Sequence, residues 1–418
     1  MRIAYLTQSY SPMVSGAAIF AEQLAKEMAK RGHQVLVIAA SEKEQPYIVQ
    51  EENLTVLRLA SIHNPMRVGQ RFLLYPRRAV LQALQEFCPD VIHTHDPLQM
   101  GSLGIKYAQR VNIPVTLTTH QLPWFVAKYL PDVLGVRKLT EVILWKYATW
   151  LLQRFTAVIT PTRTISGIVT QKTGIETKTI GYGIDLTIFH PHLSPDDEAG
   201  MRAKLNLPSC VPILLHVGRL DTDKYVDRVI MAAAQVISQT DAHLLIIGDG
   251  RQKPALTNLC KSMGIEKRVH FPGYISTKQG LHEIYRMANL FVTASEIETQ
   301  GIVLLEAAAS GLPIVAVHAT CIPEIVHDEV NGYLIEPNNI DAMSEAMKKI
   351  LKDSGIAKSM AKESRKLAET HEPQVTFYEH EKQYNLMLRK VREQLTLQKS
   401  WVARKWWKRL KARVNFSR

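Results

Sequence analysis

Short apolar runs alternate along the chain with longer amphipathic stretches. In the first half, the apolar runs that predict buried strands are residues 3–7, 35–40, 91–94, 115–119 and 157–160. Residues 16–31 carry apolar positions at helical spacing and end at Gly32, which predicts a helix. Strands that alternate with helices in this way are typical of a parallel sheet covered by helices.

The second half repeats the pattern. Its apolar runs are residues 213–217, 244–247, 290–293 and 314–317. A length of 418 residues also exceeds what one core usually serves. We therefore predict an α/β protein with two doubly wound, Rossmann-like domains facing a cleft, residues 1–190 and 191–373. A charged helix is predicted from about residue 374 to residue 395, followed by a separate tail at residues 396–418.

Composition is that of an ordinary globular protein, with 46% hydrophobic and 22% charged residues. The most apolar stretch, residues 142–159, is interrupted by Lys146 and Arg154, so no membrane-spanning helix is predicted. The first strand begins at residue 3, so no signal peptide is expected. The four cysteines lack metal-site spacing, which favours reduced thiols in the cytoplasm.

Positive charge is concentrated at the C-terminal end. The net charge is +12, and residues 399–418 contribute eight of these charges. No acidic residue follows Glu393. Ala403, Trp407, Leu410 and Val414 recur there at helical spacing. This pattern predicts an amphipathic helix on an anionic membrane surface. The tail residues assigned to that contact are Trp401, Arg404, Lys405, Trp406, Trp407, Lys408 and Arg409. A disordered basic tail is the alternative, and nucleic-acid binding is less favoured because nothing else in the chain supports it.

Two glutamates eight positions apart carry the main motif. Glu298 lies in the loop predicted after the apolar strand 290–293, and Glu306 lies in a helix that Gly301 opens. Open α/β sheets bind ligands at this edge. The segment resembles the signature of the retaining glycosyltransferases of family 4, which use nucleotide sugars. The resemblance implies the GT-B fold, with the C-terminal helix crossing back to the first domain.

Basic residues follow the first strand of the second domain. Arg219 and Lys224 stand in a segment that resembles the family pattern Gly-Arg-Leu…Lys-Gly, which begins at Gly218, although Tyr225 replaces the last glycine. An arginine fork and a lysine charge can stabilise a departing diphosphate. The N-terminus of the helix at Gly301, with Ile302 and Val303 in its first turn, offers a further phosphate site.

The remaining site residues follow from the resemblance. It implies that Glu306 binds ribose hydroxyls, that Glu298 holds the transferred sugar, and that His120 touches the donor sugar and the reacting centre. Gly16, after the first strand, corresponds to a family position near the diphosphate, where Ser15 replaces a second glycine. The segment with Gly273 and Tyr274 resembles the loop that meets the nucleobase.

The resemblance also implies transfer with retention of the anomeric configuration. No side-chain nucleophile is evident, so same-face attack is favoured. Asp221 and Asp223 have the letters of a metal motif but sit inside the phosphate-binding segment. We therefore expect no essential metal and no cofactor beyond the nucleotide-sugar co-substrate. UDP-glucose is favoured over GDP-mannose and UDP-galactose by the resemblance.

The acceptor is predicted from weaker signals. Residues 93–101, which include His95, and residues 118–129, which include Trp124, look like those of diacylglycerol glucosyltransferases. We expect a lipid acceptor and an enzyme bound peripherally to the cytoplasmic face of the membrane. The alternatives are the same chemistry on a soluble or glycan acceptor, and a non-catalytic binding protein of the same fold.

Overall fold

The computed structural model describes residues 1–13, 15–64, 71–120, 122, 136–191, 194–275 and 277–415. Side chains at residues 136–137, 195, 278 and 398–415 lie outside this description. In the described residues, no helix is both long enough and apolar enough to cross a membrane.

The first domain is built on an eight-stranded sheet in the order β10-β9-β8-β7-β1-β2-β4-β3. Its pairs are parallel except β3–β4. The strands are β1 (Arg2–Leu6), β2 (Gln34–Ala40), β3 (Tyr47–Gln50), β4 (Leu54–Leu59), β7 (Val91–Thr94), β8 (Val115–Thr118), β9 (Ala157–Thr160) and β10 (Lys178–Thr179), and β5 (Ser61–His63) and β6 (Arg71–Leu73) form a separate antiparallel pair. Its helices are α1 (Gly16–Lys30), α2 (Arg77–Phe87), α3 (Gln99–Val111), α4 (Val136–Leu152) and α5 (Arg163–Thr173).

The second domain is built on a six-stranded parallel sheet in the order β13-β12-β11-β14-β15-β16. The strands are β11 (Ile213–Val217), β12 (His243–Ile247), β13 (Val269–Gly273), β14 (Leu290–Thr293), β15 (Ile314–Val317) and β16 (Gly332–Ile335). The helices are α6 (Pro195–Lys204), α7 (Val226–Ile237), α8 (Lys253–Ser262), α9 (Lys278–Met287), α10 (Ile302–Ala309), α11 (Ile340–Lys352), α12 (Ser354–Glu369) and α13 (Pro373–Asn415).

Each sheet has its own core. The central strands are apolar and fully buried because helices cover both faces, which parallel sheets require. One apolar cluster fills the second domain, and two clusters cover the two faces of the first sheet. The prediction of two doubly wound α/β domains is confirmed.

Helix α13 crosses back to the first domain, as predicted. Phe377, Tyr384 and Met387 are buried in the cluster that contains Tyr5 and Phe20 of that domain. The helix is longer than predicted, because it runs without interruption to Asn415 instead of ending near residue 395. No proline or glycine follows Pro373, so nothing in the sequence ends the helix between these points. The separate helix and tail of the sequence prediction are therefore one element.

Candidate active site

Lys224 and Glu298 meet at the carboxyl edge of the second sheet. Strands β11 and β14 are parallel neighbours, so the segments that leave them start side by side. The Lys224 ammonium donates to Glu298 Oε1 at 2.5 Å, and it lies 3.3 Å from Ser295 Oγ. Both side chains are about four-fifths buried or more. The structure thus brings together two of the predicted site residues as a partly desolvated ion pair.

Arg219 is held by its own segment. Its guanidinium donates to the Asp221 carboxylate and, at 2.9 Å, to Asp223 Oδ2. The sequence assigned this fork to phosphate oxygens. In the structure the fork holds both acidic residues of the metal-like motif, so the two carboxylates offset the positive charge at this strand end.

The N-terminus of α10 lies beside that of α1. Gly301 precedes α10 with a φ of +74°, and a Cβ there would approach Leu304 Cδ1 to 2.9 Å, so glycine suits the position. The amides of a first helical turn lack acceptors within the helix, and they include those of Ile302 and Val303. A Cβ on Gly16 would come within 2.8 Å of Ile302 Cδ1. Predicted donor residues from both domains therefore converge here.

Glu306 of α10 is buried and meets Tyr285 of the neighbouring helix α9. It accepts a hydrogen bond from the Tyr285 hydroxyl at 2.8 Å. Burial, followed by the negative charge of Glu306, raises the pKa of Tyr274. Glu306 and Tyr274 were predicted to bind ribose and base. The charge of Glu306 acts on both Tyr274 and Tyr285, so the predicted ribose and base residues lie near each other.

Glycine backbones line the ends of neighbouring strands. The Gly218 amide donates to Ile247 O at 3.0 Å, and the Gly248 amide donates to Gly273 O at 2.9 Å. A Cβ on Gly248 would overlap Gly218 O at 1.8 Å. This close approach requires glycine, and it places Gly218 and Gly273 on either side of the end of β12.

Four buried or partly buried histidines of the first domain and α13, His93, His95, His120 and His380, form the histidine cluster. His95 Nδ1 lies 2.8 Å from His120 Nε2, and His120 Nδ1 bonds the Tyr182 hydroxyl. Burial lowers the pKa of His120 to about 3 and that of His380 to about 4, so both rings are neutral near pH 7. The resemblance implied that His120 touches the donor sugar, whereas in the structure both of its ring nitrogens have protein partners.

Further bonds tie the cluster to α13. His93 Nδ1 lies 2.7 Å from the Tyr384 hydroxyl, and His93 Nε2 lies 2.7 Å from Thr118 Oγ1. His380 Nδ1 donates to Thr376 O at 2.9 Å. The returning helix therefore supplies polar groups to the first domain as well as apolar ones.

Gln300 connects the two domains. Its side-chain oxygen accepts from the Tyr182 amide at 2.7 Å, and its nitrogen donates to Tyr182 O at 2.9 Å. Because the Tyr182 hydroxyl bonds His120, one residue joins the loop of Glu298 to the histidine cluster. Neither Gln300 nor Tyr182 was predicted from the sequence.

Two sets of predicted acceptor or membrane residues lie wholly or partly outside the described structure. Trp124 lies outside the described residues. The tail residues Trp401 to Arg409 lie on the described backbone of α13, but their side chains are outside the description. Of the acceptor residues, only His95 is placed, at the centre of the histidine cluster.

Two Rossmann-like domains with a site at the strand ends have the architecture of the GT-B fold. Residues 14–188 match the model of Glycosyltransferase Family 4, and residues 197–367 match that of Glycosyl transferases group 1. The chain belongs to glycosyltransferase family 4, and it is a hexosyltransferase by class. The family, fold and enzyme class expected from the sequence are confirmed.

Named relatives include two lipid glycosyltransferases. The alpha-monoglucosyldiacylglycerol synthase of Streptococcus pneumoniae is 28% identical over 80% of this chain and 75% of its own. That of Acholeplasma laidlawii is 26% identical over 81% of this chain and 85% of its own. Among solved structures, sucrose-phosphate synthase of Thermosynechococcus elongatus aligns with a TM-score of 0.78 at 23% identity, over 93% of this chain and 100% of its own. The Anabaena protein HepE, in complex with UDP, aligns with a TM-score of 0.70 at 21% identity, over 95% of this chain and 100% of its own.

Proposed function

We propose that this enzyme transfers a hexose, with glucose favoured, from a UDP-sugar to a membrane lipid such as diacylglycerol, with retention of configuration. The assignment of a nucleotide-sugar donor is supported by the site at the carboxyl edge of the second sheet. There the Lys224–Glu298 ion pair, the N-terminus of α10 and Glu306 follow the ends of two adjacent strands. This is where open α/β sheets bind nucleotides.

In the proposed reaction, the acceptor hydroxyl attacks the anomeric carbon from the face that the diphosphate leaves. The bond between this carbon and the phosphate oxygen breaks, and its electron pair goes to the diphosphate, which takes the acceptor's proton. Lys224 and the first amides of α10 stabilise the growing negative charge. Arg219 contributes when a phosphate oxygen replaces Asp221 or Asp223 on its fork. No divalent metal is part of this proposal.

A lipid acceptor at the cytoplasmic membrane surface is favoured by two observations. Relatives of this chain are named as diacylglycerol glycosyltransferases, and eight basic residues are concentrated at residues 399–418. A small soluble acceptor is the second candidate, since a Bacillus anthracis relative at 24% identity is named N-acetyl-alpha-D-glucosaminyl L-malate synthase.

Incubation of the purified enzyme with several nucleotide sugars and a membrane lipid extract tests the proposal. UDP-glucose is expected to give a glycolipid whose linkage, determined by NMR, keeps the donor's anomeric configuration. Lys224→Ala and Glu306→Ala should each lower kcat/KM by about 10²–10³-fold, the scale for loss of one transition-state contact. The matched controls are two separate variants, Lys366→Ala and Glu345→Ala, at side chains that are each 72% exposed. Turnover by Lys224→Ala at the controls' rate would contradict the donor site, and a sugar found only on soluble products would contradict the lipid acceptor.

A further inference from the structure

Helix α4 of the first domain is apolar on two opposite faces. Its inner face packs into the core through Trp145, Leu151 and Leu152, each at most 7% exposed. A second set of apolar side chains remains exposed, by 40–63% each, and defines the outer face of α4: Leu139, Val142, Ile143, Tyr147 and Trp150.

These five residues form a continuous stripe. At about 100° of rotation per residue, they fall within an arc of about 140°, centred opposite the inner face. A surface helix normally presents polar residues on its outer side. An exposed contiguous apolar patch is typical of a surface that binds a partner.

The charges on this face indicate what kind of partner it binds. Lys146 is exposed and lies within the stripe, Lys138 lies at its margin, and the Arg154 guanidinium covers the Trp150 ring at 3.8 Å. Glu141, the acidic residue of this helix, lies about 160° around the helix axis from Leu139, outside the arc. Lysine can extend from an apolar surface to a polar boundary, where its charge stays solvated.

A second copy of the chain fits this face less well. In a two-fold symmetric contact, each residue faces the same surface patch of its partner. The central Lys146 would then approach its own copy without a carboxylate from α4 to compensate. An anionic bilayer offers acyl chains for the apolar residues and phosphates for the cations. Tyr147 and Trp150, stacked at 5.7 Å, are residue types that concentrate at the membrane–water boundary.

We propose that the outer face of α4 is a membrane-docking surface that binds an anionic phospholipid bilayer. This inference rests on the proposed function, because an enzyme that glycosylates a membrane lipid must reach the bilayer. It adds a second membrane contact, on the first domain and distant in sequence from the basic tail. Docking through the first domain would bring the acceptor side of the enzyme against the bilayer.

Vesicle binding by the full-length protein tests the inference. The outer-face variant carries Leu139→Gln, Ile143→Gln and Trp150→Gln, at positions 63%, 56% and 50% exposed. The matched control carries Ile48→Gln, Val375→Gln and Tyr378→Gln, at positions 64%, 57% and 56% exposed. Sedimentation with phosphatidylcholine–phosphatidylglycerol vesicles should show at least about a tenfold weaker partition for the outer-face variant and less than about a twofold change for the control. Lys146→Glu should weaken binding to these vesicles by about fivefold or more, and should leave binding to pure phosphatidylcholine unchanged.

The outcomes separate this inference from the proposed function. Vesicle binding by the outer-face variant at the control's level overturns the inference, even if the enzyme glycosylates lipid. Loss of vesicle binding supports it, even if no lipid accepts sugar, an outcome that would remove only the proposed acceptor. A dimer by light scattering that becomes a monomer in the variant, with vesicle binding unchanged, would assign the face to a second copy. Circular dichroism and UDP release from the donor in the absence of membranes check that both variants are folded and active.

Discussion

Tyr182 shows how a single residue can join two halves of a site. Its backbone is bonded by Gln300 of the second domain, its hydroxyl bonds His120, and its ring stacks on Phe20 with centroids 4.1 Å apart. A hydrogen-bond partner on one imidazole nitrogen determines the tautomer and the orientation of the ring. Tyr182 is therefore a positioning residue for His120.

Tyr182→Phe removes only the hydroxyl. We expect kcat to fall by about 10- to 100-fold, the usual cost of losing a group that orients a functional side chain, with little change in the KM for the donor. The control is Tyr107→Phe, which removes another buried hydroxyl, bonded to Leu84 O at 2.9 Å between α2 and α3. Equal losses in the two variants, measured by initial rates and thermal melting, would show that Tyr182 has only a structural role.

Residue contacts could be predicted only where the topology alone brings residues together. Lys224 and Glu298 follow adjacent parallel strands, so their proximity could be expected from the order of motifs. The pairing of Arg219 with Asp221 and Asp223 is local, but sequence letters do not decide between metal, phosphate and arginine as the partner. Tyr182 and Gln300 lie 118 positions apart, and their contact depends on how the domains pack.

Among the elements, α13 combines two kinds of contact with the first domain. Tyr384 and Met387 fill an apolar cluster, while His380 is fully buried beside His93, with ring centroids 5.8 Å apart. The sequence predicted the helix from its charge pattern. It did not predict which polar groups the helix buries, because their burial depends on how α13 packs against the first domain.

Burial of His380 makes the docking of α13 sensitive to acid. Its folded pKa of about 4 is below the value of 6.5 in the unfolded chain, so between these values the unfolded state binds the extra proton. The contribution of His380 to stability is complete above pH 6.5 and is lost as pH falls, by about 1.4 kcal/mol per pH unit. His93, His95 and His120 shift in the same direction, chiefly through burial, and add to the effect.

Urea unfolding at pH 7.5 and pH 5.5 measures this linkage. His380→Gln should reduce the pH-dependent loss of stability by about 1.4 kcal/mol. Met387→Ala, a buried change on the same helix, should lower stability equally at both pH values. An unchanged pH dependence in His380→Gln would show that this histidine does not titrate with unfolding.

At the scale of the whole molecule, bonds at the domain boundary hold the donor loop in place. Thr162 Oγ1 donates to Thr299 O at 3.0 Å, and the amides of Arg163 and Thr164 donate to the Glu324 carboxylate at 3.1 Å and 2.7 Å. The second domain thus supplies an acidic group to the N-terminus of α5, where the helix dipole favours it. The two folds could be predicted from periodicity, whereas these contacts could not, because they join surfaces that no local pattern relates.

Charge at this scale is divided between a mildly basic body and a strongly basic end, which leads to a prediction for the proposed membrane contact. Removal of residues 399–418 should weaken binding to anionic vesicles by at least about 100-fold at low salt, because each cation near such a surface contributes roughly 1 kcal/mol. A full-length variant with all eight basic residues changed to glutamine should lose a similar amount. Vesicle binding and lipid glycosylation equal to those of the intact chain would exclude a role for this end.

The continuity of α13 also sets a length. From Tyr384, which bonds His93, to Asn415 the helix advances about 45 Å at 1.5 Å per residue. A rod of this length spans more than the hydrocarbon thickness of a bilayer. Shortening the helix by whole turns would therefore change the distance between the histidine cluster and the last turns of α13, without altering a single residue of the cleft.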